Sequence, residues 1–157
     1  VATDFLLSDQ SARGRSCVGC HMDPAYRPAA GVEGVPTEER FGRSHRLNGP
    51  HDPEFLASAL ALSVEETADG MRLTVANEAG HRVPGLVDRE LILTAEVLGE
   101  DGEALAEGEL ALTARTFLPA DGTKSLELAA KGRVRVVGVH RAARLEAPVT
   151  FLQVTLN

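Results

Sequence analysis

"LALSVEETADGMRLTVANEAG" (Leu60–Gly80) consists of two alternating runs that face each other across Asp69-Gly70. Leu60, Leu62 and Val64 on one side, and Met71, Leu73 and Val75 on the other, place an apolar side chain at every second residue. That is the period of a strand with one face buried. An Asp-Gly pair between two such runs is the strongest short signal for a tight hairpin, because its backbone tolerates the positive φ the turn needs. The pattern recurs in "ELILTAEVLGEDGEALAEGELALTART" (Glu90–Thr116), with a turn at Glu100-Asp101-Gly102. "TKSLELAA" (Thr123–Ala130), "RVRVVGVH" (Arg133–His140) and "APVTFLQVTLN" (Ala147–Asn157) follow at short spacing. A set of about seven strands at this spacing predicts an antiparallel β-sandwich of Ig-like arrangement.

The texture before Leu60 is different. Five prolines interrupt Val1–Ala57, with glycines at 31, 34, 42 and 49 among them, and only short helices are readable. "TDFLLSDQSARGR" (Thr3–Arg15) offers Thr3 as a cap, and "CVGCH" (Cys17–His21) suits a helical turn. "PTEERF" (Pro36–Phe41) sets a proline before an acidic first turn, and Asp52-Pro53 has the order of a cap followed by the first helical residue. The chain therefore reads as mainly β, an irregular, short-helix segment over residues 1–58 preceding a β-sandwich domain over 59–157. Residues 1–58 need something at their centre to pack against.

Composition narrows the function. The 157 residues are 43% hydrophobic and 25% charged, enough for a real core. Aromatic residues make up only 4%, without Trp, so packing rests on Val, Leu and Ala. A net charge of −7 argues against a nucleic-acid partner, which would require a basic face. No apolar run approaches the roughly 20 residues of a membrane helix, so no transmembrane segment is expected. The first ten residues lack a basic start and a long apolar stretch, so residue 1 reads as a mature or trimmed end. A disulfide between Cys17 and Cys20 would close too small a loop to staple anything.

Cys17-Val18-Gly19-Cys20-His21 has three chemical readings. A redox dithiol of this spacing belongs after a strand in a βαβ context, which this chain does not offer. A zinc site needs four ligands; Cys17, Cys20, His45 and His51 just meet the spacing, and that alternative stays open, although it leaves His21 without a role. Haem uses all three residues: two cysteines form thioethers to the porphyrin edge, and the adjacent histidine is carried under the iron. A covalent haem would also supply the missing centre of residues 1–58.

Taken in order, Cys17–Met22, His45 with Gly49, and Gly80-His81-x-x-Pro84 followed by Arg89 resemble the C-terminal part of bacterial multihaem c-type cytochromes. The likeness covers roughly residues 4 to 102. It departs from that family where Pro84 is followed by Gly85 rather than by Thr-Gly, and in carrying a single haem motif. The resemblance implies one covalent haem c on Cys17, Cys20 and His21, one-electron transfer, and redox partner proteins or other cytochrome subunits. It also implies a periplasmic or extracellular location, since haem c attachment in bacteria takes place beyond the cytoplasmic membrane.

The ligand on the opposite face of the iron is then to be chosen. His45, set in a loop flanked by glycine and proline and matching the family stretch, ranks first. His81, between Gly80 and Pro84 at a strand end, ranks second, since loops on a rigid sandwich often carry function. His51, beside the Asp52 cap, ranks third. Met22 adjoins His21 and cannot easily reach the far face; Met71 reads as an ordinary strand residue, and His140 as a rim or hydrogen-bonded strand histidine. Two histidines would close the iron to dioxygen and favour electron transfer over catalysis. An open sixth position would instead suit a sensor or peroxidase-like protein, and a third reading makes the haem structural and the sandwich an assembly module. No phosphate loop, dinucleotide fingerprint or nucleophile elbow is present, so no enzyme is expected. Lys131, Arg133 and Arg135 read as charges guarding an exposed strand edge.

Overall fold

The computed structural model describes residues 1–28, 39–142 and 147–157. The chain opens with α1 (Ala2–Leu6), α2 (Asp9–Ala12) and α3 (Cys17–His21). Thr3 is not a cap: it lies inside α1, whose N-cap Val1 makes no side-chain bond. Ser8 caps α2 instead, its Oγ accepting from the Ser11 N–H, and Ser16 does the same for α3 with the Gly19 N–H at 3.0 Å. Each serine meets one of the amide donors a helix start leaves unpaired.

β1 (Met22–Pro28) follows α3 without a break and pairs antiparallel with β2 (Glu39–Leu47). This ribbon corrects two expectations. Glu39–Phe41 is strand rather than helix, while the rest of that expected helix, 36–38, falls outside the described residues. His45 lies on a strand rather than in a loop. Prolines are compatible with the ribbon because each strand of a two-stranded sheet is an edge and need not donate on its outer side. Tyr26 stands opposite Phe41, with their rings edge to face at 5.5 Å, a cross-strand pair that outweighs the helical propensity of the acidic run.

α4 (Pro53–Ala57) forms as expected, with Asp52 Oδ1 accepting from the Glu54 and Phe55 amides at 3.1 Å each. The sandwich comprises β3 (Leu60–Glu66), β4 (Met71–Asn77), β5 (Arg89–Leu98), β6 (Ala104–Leu112), β7 (Thr123–Leu128), β8 (Arg133–Ala142) and β9 (Val149–Leu156). One sheet has the order β3-β4-β7 and the other β6-β5-β8-β9, all antiparallel. The chain is thus mainly β, as the alternating runs predict. β3 and β4 meet in a turn over Thr67–Gly70, where the Thr67 N–H donates to the Gly70 carbonyl.

Alternation delivers the core. Leu73 and Val75 from one sheet face Leu93, Ala95, Val97, Val134 and Val136 from the other, all fully buried. Met71 is part of this core, as an ordinary strand residue should be. Arg135 does not guard an edge: β8 is interior, and Arg135 lies opposite Glu96 of β5 with Nε donating to its carboxylate at 2.7 Å. β9 takes the edge that the sequence assigned to β8. Lys131 precedes the strand and pairs with Glu66.

Residues of α1 and α2 are tied to the sandwich. Asp9 N–H donates to the Asp121 carboxylate, Gln10 Nε2 donates to the Glu78 carbonyl at 3.0 Å, and Asp4 pairs with Arg82 at 3.3 Å. Gly80, at φ +72°, lies against α2; a Cβ there would stand 2.9 Å from the Gln10 Cβ. Among the described residues no helix is long and apolar enough to cross a membrane.

Candidate functional site

Cys17, Cys20 and His21 share α3. Residues three apart on a helix lie on one face, so both thiols, which are free, point to one side. Gly19 between them sits close under the capping Ser16 Oγ, leaving little room for a side chain. His21 closes the helix, and its ring is fixed by the residue that follows β2. Its Nδ1 lies 2.7 Å from the Asn48 carbonyl oxygen, and the Asn48 N–H donates to the His21 carbonyl at 2.8 Å. A carbonyl can only accept, so Nδ1 carries the proton and Nε2 keeps its lone pair. Asn48 is steadied in turn by its side chain, whose Nδ2 donates to Asp23 at 3.0 Å. Phe55 of α4 packs on the same imidazole, ring centres 5.1 Å apart.

His81 arrives from the β4–β5 loop. The loop is pinned by Asn77, which is only 3% exposed. Its Nδ2 lies among the carbonyls of His81, Leu118 and Pro119 at 2.7–3.1 Å, and its Oδ1 accepts from the Ala79 N–H. His81 Nδ1 stands 3.0 Å from the Arg82 carbonyl, so the same reasoning gives it the same tautomer and a free Nε2.

The two imidazoles face each other. The His21 and His81 rings are within 13° of parallel and their centres are 6.1 Å apart. An imidazole nitrogen lies about 1.1 Å from its ring centre and a metal–imidazole bond is about 2.0–2.1 Å, so two rings on opposite sides of one ion have centres about 6.3 Å apart. The ring centres are therefore spaced as two imidazoles around one metal would be, and each ring is held by a backbone carbonyl on its other nitrogen, as metal-binding histidines generally are.

A cavity of about 710 Å³ surrounds the pair, walled by Cys20, Phe55, Leu91, Pro84 and His140 among others. Its size suits a bound cofactor. His140 is only 1% exposed, and neither ring nitrogen has a hydrogen-bond partner. The sequence placed it at a rim or hydrogen-bonded; it is buried, because it continues the inward register of Val134, Val136 and Gly138 along β8. Burial, then the charges of Arg89 and His51, hold it below its ordinary value of 6.5, while the Pro50 carbonyl and Asp88 pull the other way.

The remaining sequence candidates divide plainly. His51 is exposed and lines a second cavity of about 480 Å³. The side chain of His45 is outside the described residues. Among the described residues no three His, Cys, Asp or Glu gather around a metal position, so Cys17, Cys20 and His51 do not assemble as zinc ligands. Met22 leaves α3 as the first residue of β1. Among the histidines whose side chains are described, His81 is the one whose ring lies against His21. Sequence reasoning missed Asn77 and Asn48. Asn77 had a signal: it continues the inward register of Leu73 and Val75 as a polar residue.

Fold and site together define an Ig-like sandwich whose N-terminal segment holds a Cys-x-x-Cys-His helix against a second imidazole from the sandwich. No family model and no curated protein matches the sequence. Among solved structures, the chain is similar to a penta-heme cytochrome c552 from Thermochromatium tepidum, with a TM-score of 0.62 at 18% identity. The match covers 98% of this chain and 49% of that one, so the chain spans about half the length of its neighbour. At this identity the likeness is one of fold.

Proposed function

We propose that the chain is a c-type cytochrome that binds one haem c and transfers single electrons. The observation that carries this reading is the near-parallel His21–His81 pair, at the spacing two imidazoles take around one metal, directly beside Cys20. Cys17 and Cys20 would tether the haem, His21 would be its proximal ligand and His81 the distal one. The group supplies a one-electron ferric/ferrous couple when bound. The chain's own residues do the rest. The Asn48 and Arg82 carbonyls hold both rings in the tautomer that offers Nε2. Phe55, Leu91 and Val83 give the cavity apolar walls that limit water. Two fixed imidazoles leave no open position for dioxygen or peroxide, which favours a carrier over an enzyme or a sensor.

Cys17 is exposed, which puts the tethered edge at the surface where a redox partner can approach. The likeness to half of a penta-heme cytochrome supports a place as one station or docking module in a larger redox assembly. Assembly of haem c on this motif would place the chain outside the cytoplasmic membrane. Absorption and electron paramagnetic resonance spectra of the haem-loaded chain test the reading. Low-spin ferric iron is expected, turning high-spin in His81→Ala, whose dithionite-reduced form should then bind carbon monoxide readily. High-spin iron in the unsubstituted protein would overturn the bis-histidine assignment.

A further inference from the structure

Haem has a directional outline: the positions that form thioethers lie along one edge and two propionate carboxylates project from the other. The cavity has a matching polarity. Cys20 and His21 line the 710 Å³ cavity and not the 480 Å³ one. The 480 Å³ cavity adjoins it, since His140, Arg89 and the segment Pro84–Leu86 line both. Beyond that junction the second cavity adds His51 and Arg82, with Asp88 as its one acidic residue.

Two observations at the junction point to an anionic group. His140 is 1% exposed and neither ring nitrogen completes a hydrogen bond, although the Pro50 carbonyl lies close enough to act on the ring, a costly arrangement for a buried polar group. Arg89, half-buried at the start of β5, belongs to no ion pair among the described residues. A carboxylate accepts from both an imidazole N–H and a guanidinium, and hydrogen bonds to an ionised acceptor are the strong ones.

We propose that this junction receives the haem propionates, with Arg89 pairing one carboxylate and His140 donating a ring N–H to it. The inference rests on the cytochrome reading above. It fixes the orientation of the cofactor: tethered edge at α3, carboxylate edge between the first turn of β5 and the end of β8. The unpaired state of His140 then has a reason, since the partner it lacks is carried in by the cofactor.

Resonance Raman spectra and reduction potentials of the haem-loaded full chain test it. Arg89→Leu should move the propionate bending band and lower the potential, because a carboxylate that has lost its cation stabilises ferric iron. His140→Phe should move the same band, with a smaller change in potential. Low-spin iron should persist in both variants, which separates this inference from the ligand assignment. Loss of the low-spin signal in His140→Phe would make His140 a ligand and overturn the proposal. A propionate band unmoved in both variants, or moved instead by Arg15→Leu in the first cavity alone, would overturn it too. A chain that attaches no haem at all would sink the cytochrome reading and this inference with it. If a variant fails to fold, a crystal structure of the unsubstituted haem-loaded chain decides. Propionate oxygens within hydrogen-bond distance of Arg89 and His140 are expected, and carboxylates directed elsewhere refute the assignment.

Discussion

At the scale of single residues, the site depends on side chains that never touch its centre. Asn77 holds the His81 loop by giving its amide protons to loop carbonyls and taking one from Ala79. Asn77→Ala leaves those buried groups unpaired, at a cost of about 1–3 kcal/mol, and frees His81 to drift. The expected result is a lower urea midpoint together with a mixed-spin ferric spectrum, while the cysteine attachment stays intact. Gly80 acts through space and φ together. Gly80→Ala must adopt a left-handed backbone, at about 1–2 kcal/mol, and push its Cβ against Gln10. A lower melting temperature is expected, and an unchanged one would mean that α2 yields without loss. Much of this was readable: Cys17, Cys20 and His21 announce themselves by type and spacing, and Asn77 sits where an apolar residue was due. That His81 comes to lie beside His21 was not, because it depends on which loop the sandwich brings across, and no local pattern encodes that.

At the scale of elements, caps and turns carried the legible part. Asp69-Gly70 turns β3 into β4 without the positive φ expected of it: Gly70 is required by space, since a Cβ there would stand 1.9 Å from the Leu128 carbonyl oxygen. Asp52-Pro53, by contrast, starts α4 through a backbone preference that tertiary contacts leave alone. The ribbon of β1 and β2 was hidden for the opposite reason. Pro24 and Pro28 look like breakers, and the acidic run after Pro36 looks like a helix start; only the pairing across the ribbon, with Tyr26 on Phe41, decides for strand. α4 also serves the site, since Phe55 packs on the His21 ring. Asp52→Ala should therefore cost about 0.5–2 kcal/mol through the lost cap and broaden the low-spin resonances as Phe55 loosens. Loss of stability without any spectral change would show that Phe55 does not position the ring.

At the scale of the whole molecule, the sandwich was legible because one face of every strand is buried, and that writes a period of two into the sequence. How residues 1–58 dock was not legible, since the docking runs through isolated contacts such as Gln10 to Glu78 and Asp4 to Arg82. One consequence of the docking concerns connectivity. His21 and His81 are about 60 residues apart along the chain, and a metal shared between them would shut that stretch into a ring. By the chain-entropy treatment of cross-links, such a closure removes about 4 kcal/mol of freedom from the unfolded chain. His81→Ala should then weaken the haem-loaded protein by more than the loss of one loop contact, measured as the difference in urea unfolding between the two forms. The same pair of imidazoles that would pass electrons would also buckle the N-terminal segment to the sandwich.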